Sequence, residues 1–302
     1  MTLVIEHKTT SEDCTPGSIY WQKLTLDAQI SNYLVGARSL GYSPDGVLYD
    51  VLRKPAIRPY EANSKRPRAE TPQEYFVRCL EEIGGDPNKY YQRGVIVRLE
   101  QEEHDAAFDM WQTAEAIRTS RNAERWPRNV DSCSQYNRMC DYWTVCSGQA
   151  TIEDGVYFTR EQSHVELDGK HHLPMLTTSS ARTYRACPRR YYYSYELGAK
   201  ARRRGGALAF GTLIHKALEA WLTNGLDAAL AAIAQPTYSY DDAKAEAMVR
   251  GYDARWIAAD YDVLEVEKEF VTELRNPATR APSRTWMLAG KLDGVVKRRP
   301  QT

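Results

Sequence analysis

The chain lacks several features that would point to a partner or a compartment. Forty basic residues balance forty acidic ones, so no overall charge draws the protein to nucleic acid. No apolar run is long enough for a membrane span, and the charged N-terminal segment does not look like a signal peptide. No internal repeat is apparent. With 42% hydrophobic residues in 302, we expect a soluble, cytosolic globular protein of one large domain or two.

Cysteine is scarce, but its distribution is uneven. Three of the six cysteines fall close together, and a fourth precedes a proline: Cys133, Cys140, Cys146 and Cys187. Four thiolates can hold one iron–sulfur cluster or one zinc ion. The wide spacing within the trio is unlike the two-residue knuckles of zinc fingers and favours a cluster with one remote ligand. The alternative is buried free thiols, which we also expect for Cys14 and Cys79.

Charged side chains that suit a divalent cation stand on two apolar segments far apart in the sequence. Glu6 and Lys8 are two residues apart in Leu3–Lys8, so on a strand they share one face. Asp293 lies in a second apolar run, Leu288–Val296. If the two segments paired as a hairpin, the two carboxylates could bind Mg²⁺ or Mn²⁺, with the lysine beside them. The alternative is two unrelated strands with ordinary edge charges.

Two amphipathic helices carry further candidates. Apolar residues recur at helical spacing in 205–222, where His215 and Glu219 lie one turn apart. A second helix is predicted over 26–37, with Gln29 and Tyr33 at the same spacing. A lone helical histidine is more often a core residue, and a Gln–Tyr pair often only packs.

A basic tract rich in tyrosine runs from Arg182 to Arg204. It holds eight basic residues against the single acid Glu196, with five tyrosines interleaved. Arginines neutralise phosphates and aromatic rings stack on bases, a combination typical of a single-strand channel. The alternative is a solvated basic helix face with the tyrosines half in the core. The candidate nucleic-acid contacts are Arg182, Arg185, Arg189, Arg190 and Tyr191.

Together these motifs resemble a PD-(D/E)XK nuclease of the RecB/AddB-like branch that carries an iron–sulfur cluster. The resemblance implies that Cys187 is the first cluster ligand and that Cys133, Cys140 and Cys146 complete a 4Fe–4S site. It implies Glu6, Asp293 and His215 as metal ligands and Lys8 as the catalytic lysine. Gln29 and Tyr33 would form the helix motif that supports the site and contacts DNA. We expect His7 to point to the opposite face, with its backbone carbonyl as a further metal contact.

The order of the motifs departs from that family, because this chain begins at the Glu-x-Lys strand and reaches the first cysteine only at 187. Rotating the sequence to start near Met175 restores the family order. We therefore expect an α/β fold with a restriction-endonuclease-like core, a central mixed sheet flanked by helices, circularly permuted and with a helical part bound to the cluster. Residues 1–165 would be the C-terminal half of the fold, 166–175 a linker and 176–302 the N-terminal half, together one nuclease domain.

The expected function is metal-dependent hydrolysis of DNA by an exonuclease acting on single strands or duplex ends, with roles in repair or recombination. The cluster would be structural. Two alternatives stay open: a catalytically inactive single-strand-binding module, and a zinc-stabilised interaction scaffold.

The remaining sequence supplies a frame. Strands are predicted at 46–52 and 264–274, and helices at 74–83 and 100–125. Residues 55–71, rich in proline, arginine and lysine, are predicted to form an exposed loop.

Overall fold

The computed structural model describes residues 1–135, 138–162, 164, 167, 171–202, 206–256 and 261–299. Part of the predicted linker (Glu166 and residues 168–170), together with Arg203 and Arg204 of the basic tract, lies outside the described residues. No helix in the described part of the chain combines the length and apolar character needed to span a bilayer.

Ten strands occur in the described residues: β1 (Thr2–Thr10), β2 (Gly46–Arg53), β3 (Tyr91–Ile96), β4 (Ser134–Gln135), β5 (Arg138–Met139), β6 (Tyr157–Thr159), β7 (Met175–Leu176), β8 (Ala199–Ala201), β9 (Tyr261–Arg275) and β10 (Pro282–Arg298).

The α-helices of the same residues are α1 (Ile19–Lys23), α2 (Ala28–Ser39), α3 (Pro72–Gly85), α4 (Pro87–Tyr90), α5 (Glu100–Asn122), α6 (Trp143–Cys146), α7 (Thr178–Ala186), α8 (Pro188–Tyr191), α9 (Gly206–Ile233) and α10 (Tyr240–Trp256). A π-helix, Tyr192–Glu196, continues α8.

Six strands form a mixed central sheet. Its order is β3-β2-β1-β10-β7, and β9 also pairs with β10. The β1–β2 pair is parallel, whereas β1–β10, β9–β10 and β2–β3 are antiparallel. Residues from both ends of the chain therefore lie side by side in the middle of one sheet.

Alternating side chains of β1 enter two different cores, as the two-residue period of a strand requires. Val4 packs in a core with α2 and α5, which supply Leu34 and Met110. Leu3 and Ile5 lie on the other face, in a cluster that includes Leu222 of α9. Helices α3, α9 and α10 share a core with the end of β2. The predicted α/β architecture, a mixed sheet flanked by helices, is confirmed.

The sheet divides where β1 and β10 part. The two strands pair from Thr2 with Lys297 to Ile5 with Gly294, and the ladder goes no further. Beyond this point β1 continues to Thr10 beside β2, while β10 pairs with β7 at Met287 and Leu288. The two strands therefore diverge after Ile5, and the space between them is here called the cleft.

Candidate active site

The pairing of β1 with β10 places Glu6 across from Asp293. The last paired residues are Ile5 and Gly294, so Glu6 and Asp293 are the next two residues, at the mouth of the cleft. A Cβ on Gly294 would lie 2.8 Å from Ile5 Cγ2 and 2.9 Å from a backbone oxygen of Glu265. Glycine at this position thus allows the close approach of three strands on which the site is built.

The Glu6 carboxylate is almost completely buried, with 1% of the residue exposed. Its Oε1 contacts the Lys8 amine and accepts a 3.1 Å hydrogen bond from Gln29 Nε2. The Gln29 amide also lies 2.5 Å from the Tyr33 hydroxyl, which places both helix residues at the site. The other oxygen, Oε2, is buried and has no hydrogen-bond partner among the described residues. Burial and the negative charge of Asp293 raise the pKa of Glu6 to about 7.

Asp293 is surrounded by histidine nitrogens. Its Oδ2 accepts a 2.7 Å hydrogen bond from the backbone N–H of His7. The same oxygen lies 3.7 Å from Nδ1 of His7 and 3.7 Å from Nδ1 of His215. Burial acts to raise the pKa of Asp293, but the hydrogen bonds of His7 and the charge of His215 outweigh it and hold that pKa below its usual range. Burial in turn lowers the pKa of His215.

Lys8 shares the Glu6 side of the cleft. Burial disfavours its charged amine, but the carboxylate of Glu6 and the charge of Asp293 outweigh this cost and raise its pKa. The lysine is therefore a fixed positive charge beside the two acids.

The His7 side chain lies behind the site, where it joins a buried polar network. Its Nε2 is 3.3 Å from the Tyr252 hydroxyl, which donates a 2.6 Å hydrogen bond to Asp50. Arg93 also binds the same Asp50 oxygen at 2.6 Å. His7 also contacts Asp293, through its backbone N–H at 2.7 Å and through Nδ1, which lies 3.7 Å from Oδ2. The predicted metal contact of the His7 carbonyl stays a prediction.

The chemical types of the donor groups at the site suit a hard divalent cation. The two carboxylates are neighbours at the end of the β1–β10 pairing, the His215 imidazole lies 3.7 Å from Asp293, and the buried Oε2 of Glu6 has no hydrogen-bond partner among the described residues. Among the described residues, no group of three or more His, Cys, Asp or Glu side chains is arranged closely enough to hold a metal ion.

The four cysteines of the predicted cluster come from neighbouring segments. Burial raises the pKa of the Cys133 thiol, and the charges of Cys146 and Cys187 raise it further. Two hydrogen bonds join the segments, from Ser132 Oγ and Asn129 Nδ2 to the carbonyl of Ala186, at 2.7 and 2.8 Å. All four are free thiols. The described residues, these cysteines included, contain no group of three or more His, Cys, Asp or Glu side chains that could hold a metal ion.

The remaining two cysteines lie in the cores. Cys14 and Cys79 are fully buried free thiols, as expected for structural residues. The burial of each thiol raises its pKa, so both are held in the neutral form.

The arginines of the basic tract differ in their surroundings. Arg182 is exposed and pairs with Asp27, the N-cap residue of α2, at 3.1 Å, while Arg185 lies 3.8 Å from Asp109. Arg189 instead donates to the carbonyl of Trp126 at 3.0 Å. Arg190 lines a cavity of about 330 Å³ whose wall also includes Arg160 and Lys200.

Tyr191 does not fit the predicted base contact. It is 2% exposed and its ring stacks between Trp126 and Tyr195, at centroid distances of 5.8 and 5.2 Å. Its polarisable faces are thus already covered by other rings, so they are not available to a base. Tyr193 is also buried, stacked on Tyr142. These tyrosines belong to the core of the helical part.

Sequence reasoning missed four residues that shape the site. Asp50, Arg93 and Tyr252 form the network behind His7. Glu267 lies opposite Asp293 on β9, between the pairs Leu292–Lys268 and Gly294–Val266. Burial and the charge of Asp293 raise its pKa. An aspartate inside the apolar run 46–52 was a usable signal for the network, because a charge in a buried strand needs a partner. No comparable signal marked Glu267.

A family model described as the PD-(D/E)XK nuclease superfamily matches residues 175–301. The match contains Cys187, His215 and Asp293 and begins at Met175, whereas Glu6, Lys8 and the cysteine trio lie outside it. The mixed sheet flanked by helices fits the core of that superfamily, whose members are generally nucleases that use Mg²⁺ or Mn²⁺. No curated protein and no solved structure matches the chain.

Proposed function

We propose that this chain is a metal-dependent DNA nuclease of the PD-(D/E)XK type. The observation that carries the proposal is the meeting of Glu6 and Asp293 on paired strands, with the Glu6 Oε2 buried and without a hydrogen-bond partner among the described residues. Glu6, Asp293 and His215 would hold one Mg²⁺ or Mn²⁺. The bound ion would polarise a phosphoryl oxygen and lower the pKa of a coordinated water.

The protein's own groups have separate roles in this proposal. Lys8, a charge fixed against Glu6, stabilises the negative charge that develops on the scissile phosphate. Gln29, held by Tyr33, orients the Glu6 carboxylate. The backbone N–H of His7 orients Asp293.

The unusual order of the motifs is best explained by a circular permutation. Two observations support it: β1 pairs with β10, and the family match begins at residue 175, where rotation of the sequence restores the family order. On this proposal, 1–165 and 176–302 are the two halves of one nuclease domain and 166–175 joins them. The permuted order would bring the cysteine trio beside Cys187, and the hydrogen bonds to Ala186 are consistent with that neighbourhood.

We also propose that Cys133, Cys140, Cys146 and Cys187 hold a structural 4Fe–4S cluster, as in the RecB/AddB-like branch. Support comes from the proximity of these thiols: in addition to burial, the charges of Cys146 and Cys187 raise the pKa of Cys133, and the charge of Cys187 raises that of Cys140. The donor type, four thiols, suits iron–sulfur chemistry and zinc alike. Iron and zinc analysis of anaerobically purified protein separates the two.

The substrate that the geometry favours is a single strand or a duplex end. The sheet divides into a cleft at the site, and Arg182, Arg185 and Arg190 lie along the helical part that borders α2. We therefore propose that the chain acts as an exonuclease at DNA ends.

The decisive test compares Lys8→Ala with Lys23→Ala. Lys23 is an exposed lysine paired with Glu12, so its variant removes the same charge away from the site. We expect the wild type and Lys23→Ala to cleave single-stranded DNA with Mn²⁺, and Lys8→Ala to bind the DNA but not cleave it. A wild type that binds but never cleaves would identify a DNA-binding module. A wild type that neither binds nor cleaves, and contains zinc, would favour the scaffold.

A further inference from the structure

A second basic surface lies beside the end of β1. It is formed by residues 53–68, here called the basic loop, which follow β2 and lead to α3. The basic loop holds six basic residues, and its single acid is Glu61: Arg53, Lys54, Arg58, Lys65, Arg66 and Arg68.

The basic loop begins at the end of the cleft. The backbone N–H of Lys54 donates to the carbonyl of Thr10, the last residue of β1, at 2.7 Å. Thr10 is four residues beyond Glu6, a distance of about 13 Å along a strand. Lys54 also lies over the ring of Phe210, which is on the helix that carries His215. DNA leaving the metal site along β1 would therefore reach the basic loop after about four nucleotides, at roughly 3.4 Å each.

The basic loop is tied to the body of the protein. The ring of Tyr60 lies between the guanidinium groups of Arg66 and Arg78, whose central carbons are 3.5 and 3.8 Å from the ring centre. The Tyr75 hydroxyl donates to the carbonyl of Ile57 at 2.8 Å. These contacts fix the Arg66 guanidinium and the backbone at Ile57, which reduces the entropy lost when a ligand binds.

The charges of the basic loop are only partly neutralised within the protein. Arg68 pairs with Glu74, and Arg53 with Asp13. Arg58, Lys65 and Arg66 are exposed, and among the residues the structure describes none of them forms an ion pair with an acid. Burial lowers the pKa of Lys54, and the positive charge of Lys244 lowers it further, so an anion beside these two amines would relieve a repulsion.

We propose that the basic loop binds the phosphate backbone of DNA that extends past the cleavage point. This rests on the proposed nuclease function and adds to it a second contact surface. A strand too short to reach residues 53–68 lacks that contact.

The test uses the double variant Arg58→Gln with Lys65→Gln. Its matched control is Arg280→Gln with Arg284→Gln, two exposed arginines near the β9–β10 turn, which changes the net charge equally. Binding is measured without divalent metal, as fluorescence anisotropy across a salt series. The probes are two labelled single-stranded oligonucleotides, one too short to reach from the site to the loop and one long enough to pass it.

For the long probe, we expect the loop variant to reduce the slope of log K against log salt by roughly 1.4, since each lost single-strand phosphate contact is worth about 0.7. For the short probe, and for the control variant on both probes, the slope stays that of the wild type. Wild-type binding of the long probe with an unchanged slope in the loop variant would overturn this inference alone. An equal loss in the control variant would also overturn it. A wild type that binds neither probe would overturn the nuclease proposal as well.

Discussion

Replacing Glu6 by glutamine should change how stability depends on pH. In the metal-free wild type, burial and Asp293 raise the pKa of Glu6 from 4.5 to about 7. The folded state therefore binds more protons than the unfolded chain between these values. The stability from this group is complete below pH 4.5 and is lost as pH rises through about 7. Glutamine carries no charge at any pH, so the variant escapes that loss.

The size of the effect follows from the shift. A difference of one pKa unit corresponds to about 1.4 kcal/mol, so the wild type should lose about 3 kcal/mol from Glu6 between pH 4.5 and pH 8. At roughly 2–4 °C per kcal/mol, this is a difference of about 6–12 °C in Tm. The stability contributed by His215 changes with pH in the opposite sense. Because folding lowers its pKa, this stability is lost as pH falls below the ordinary pKa of histidine. The difference between wild type and variant cancels that contribution.

The assay is thermal unfolding of wild type, Glu6→Gln and the control Glu12→Gln at pH 5 and pH 8, with and without Mn²⁺. Glu12 is an exposed acid paired with Lys23. We expect metal-free Glu6→Gln to be more stable than the wild type at pH 8 but not at pH 5. Saturating Mn²⁺ at one hundred times its Kd should stabilise the wild type by about 3 kcal/mol at pH 8 and leave Glu6→Gln almost unchanged. Parallel pH profiles of the three proteins would refute the reasoning.

Three further outcomes are expected. Cys187→Ala should lower both iron content and Tm, whereas Cys79→Ala should leave the iron content unchanged; full iron in the first variant would reject the cluster assignment. Arg190→Ala should weaken DNA binding and reduce its salt slope by about 0.7 on single strands, measured by salt titration. Arg189→Ala should mainly lower stability, by about 1 kcal/mol in thermal unfolding, because the Arg189 guanidinium binds a backbone carbonyl. Tyr252→Phe should lower stability by about 1–3 kcal/mol and weaken Mn²⁺ binding measured by calorimetry, because the hydroxyl joins Asp50 to His7; unchanged affinity would limit the network to a structural role.

Local pattern located several of the longer elements. The helix bearing Gln29, predicted over 26–37, is Ala28–Ser39, and the strand predicted over 46–52 is Gly46–Arg53. The loop predicted at 55–71 is exposed between 61 and 69. The continuous apolar run 46–52 indicates a strand that is buried on both faces, whereas the proline-rich, charged composition of 55–71 indicates a loop. The strand at 264–274 is longer than predicted, Tyr261–Arg275, because pairing with β10 continues past the apolar residues.

The site was only partly predictable, for a physical reason. The spacing of Glu6 and Lys8 fixes their common face, but nothing in the sequence fixes which side chains lie behind the strand. Tyr252 comes from α10 and Arg93 from β3, and they meet only through tertiary packing. From the sequence, the tyrosines of the basic tract could lie either on the surface or in the core. In the structure, Trp126 from another segment stacks on Tyr191 and Tyr192, so these tyrosines belong to the core.

The β1–β10 pairing also determines when the site can form. Asp293 binds a residue 286 positions earlier in the chain. Closing such a loop costs about 4 kcal/mol more in chain entropy than closing a four-residue hairpin, so the pairing should form late in folding. At about 5–20 residues per second, the ribosome needs roughly 15–60 s to make Asp293 after Glu6. During synthesis, the nascent chain therefore carries one acid of the proposed site without the other until both strands are complete.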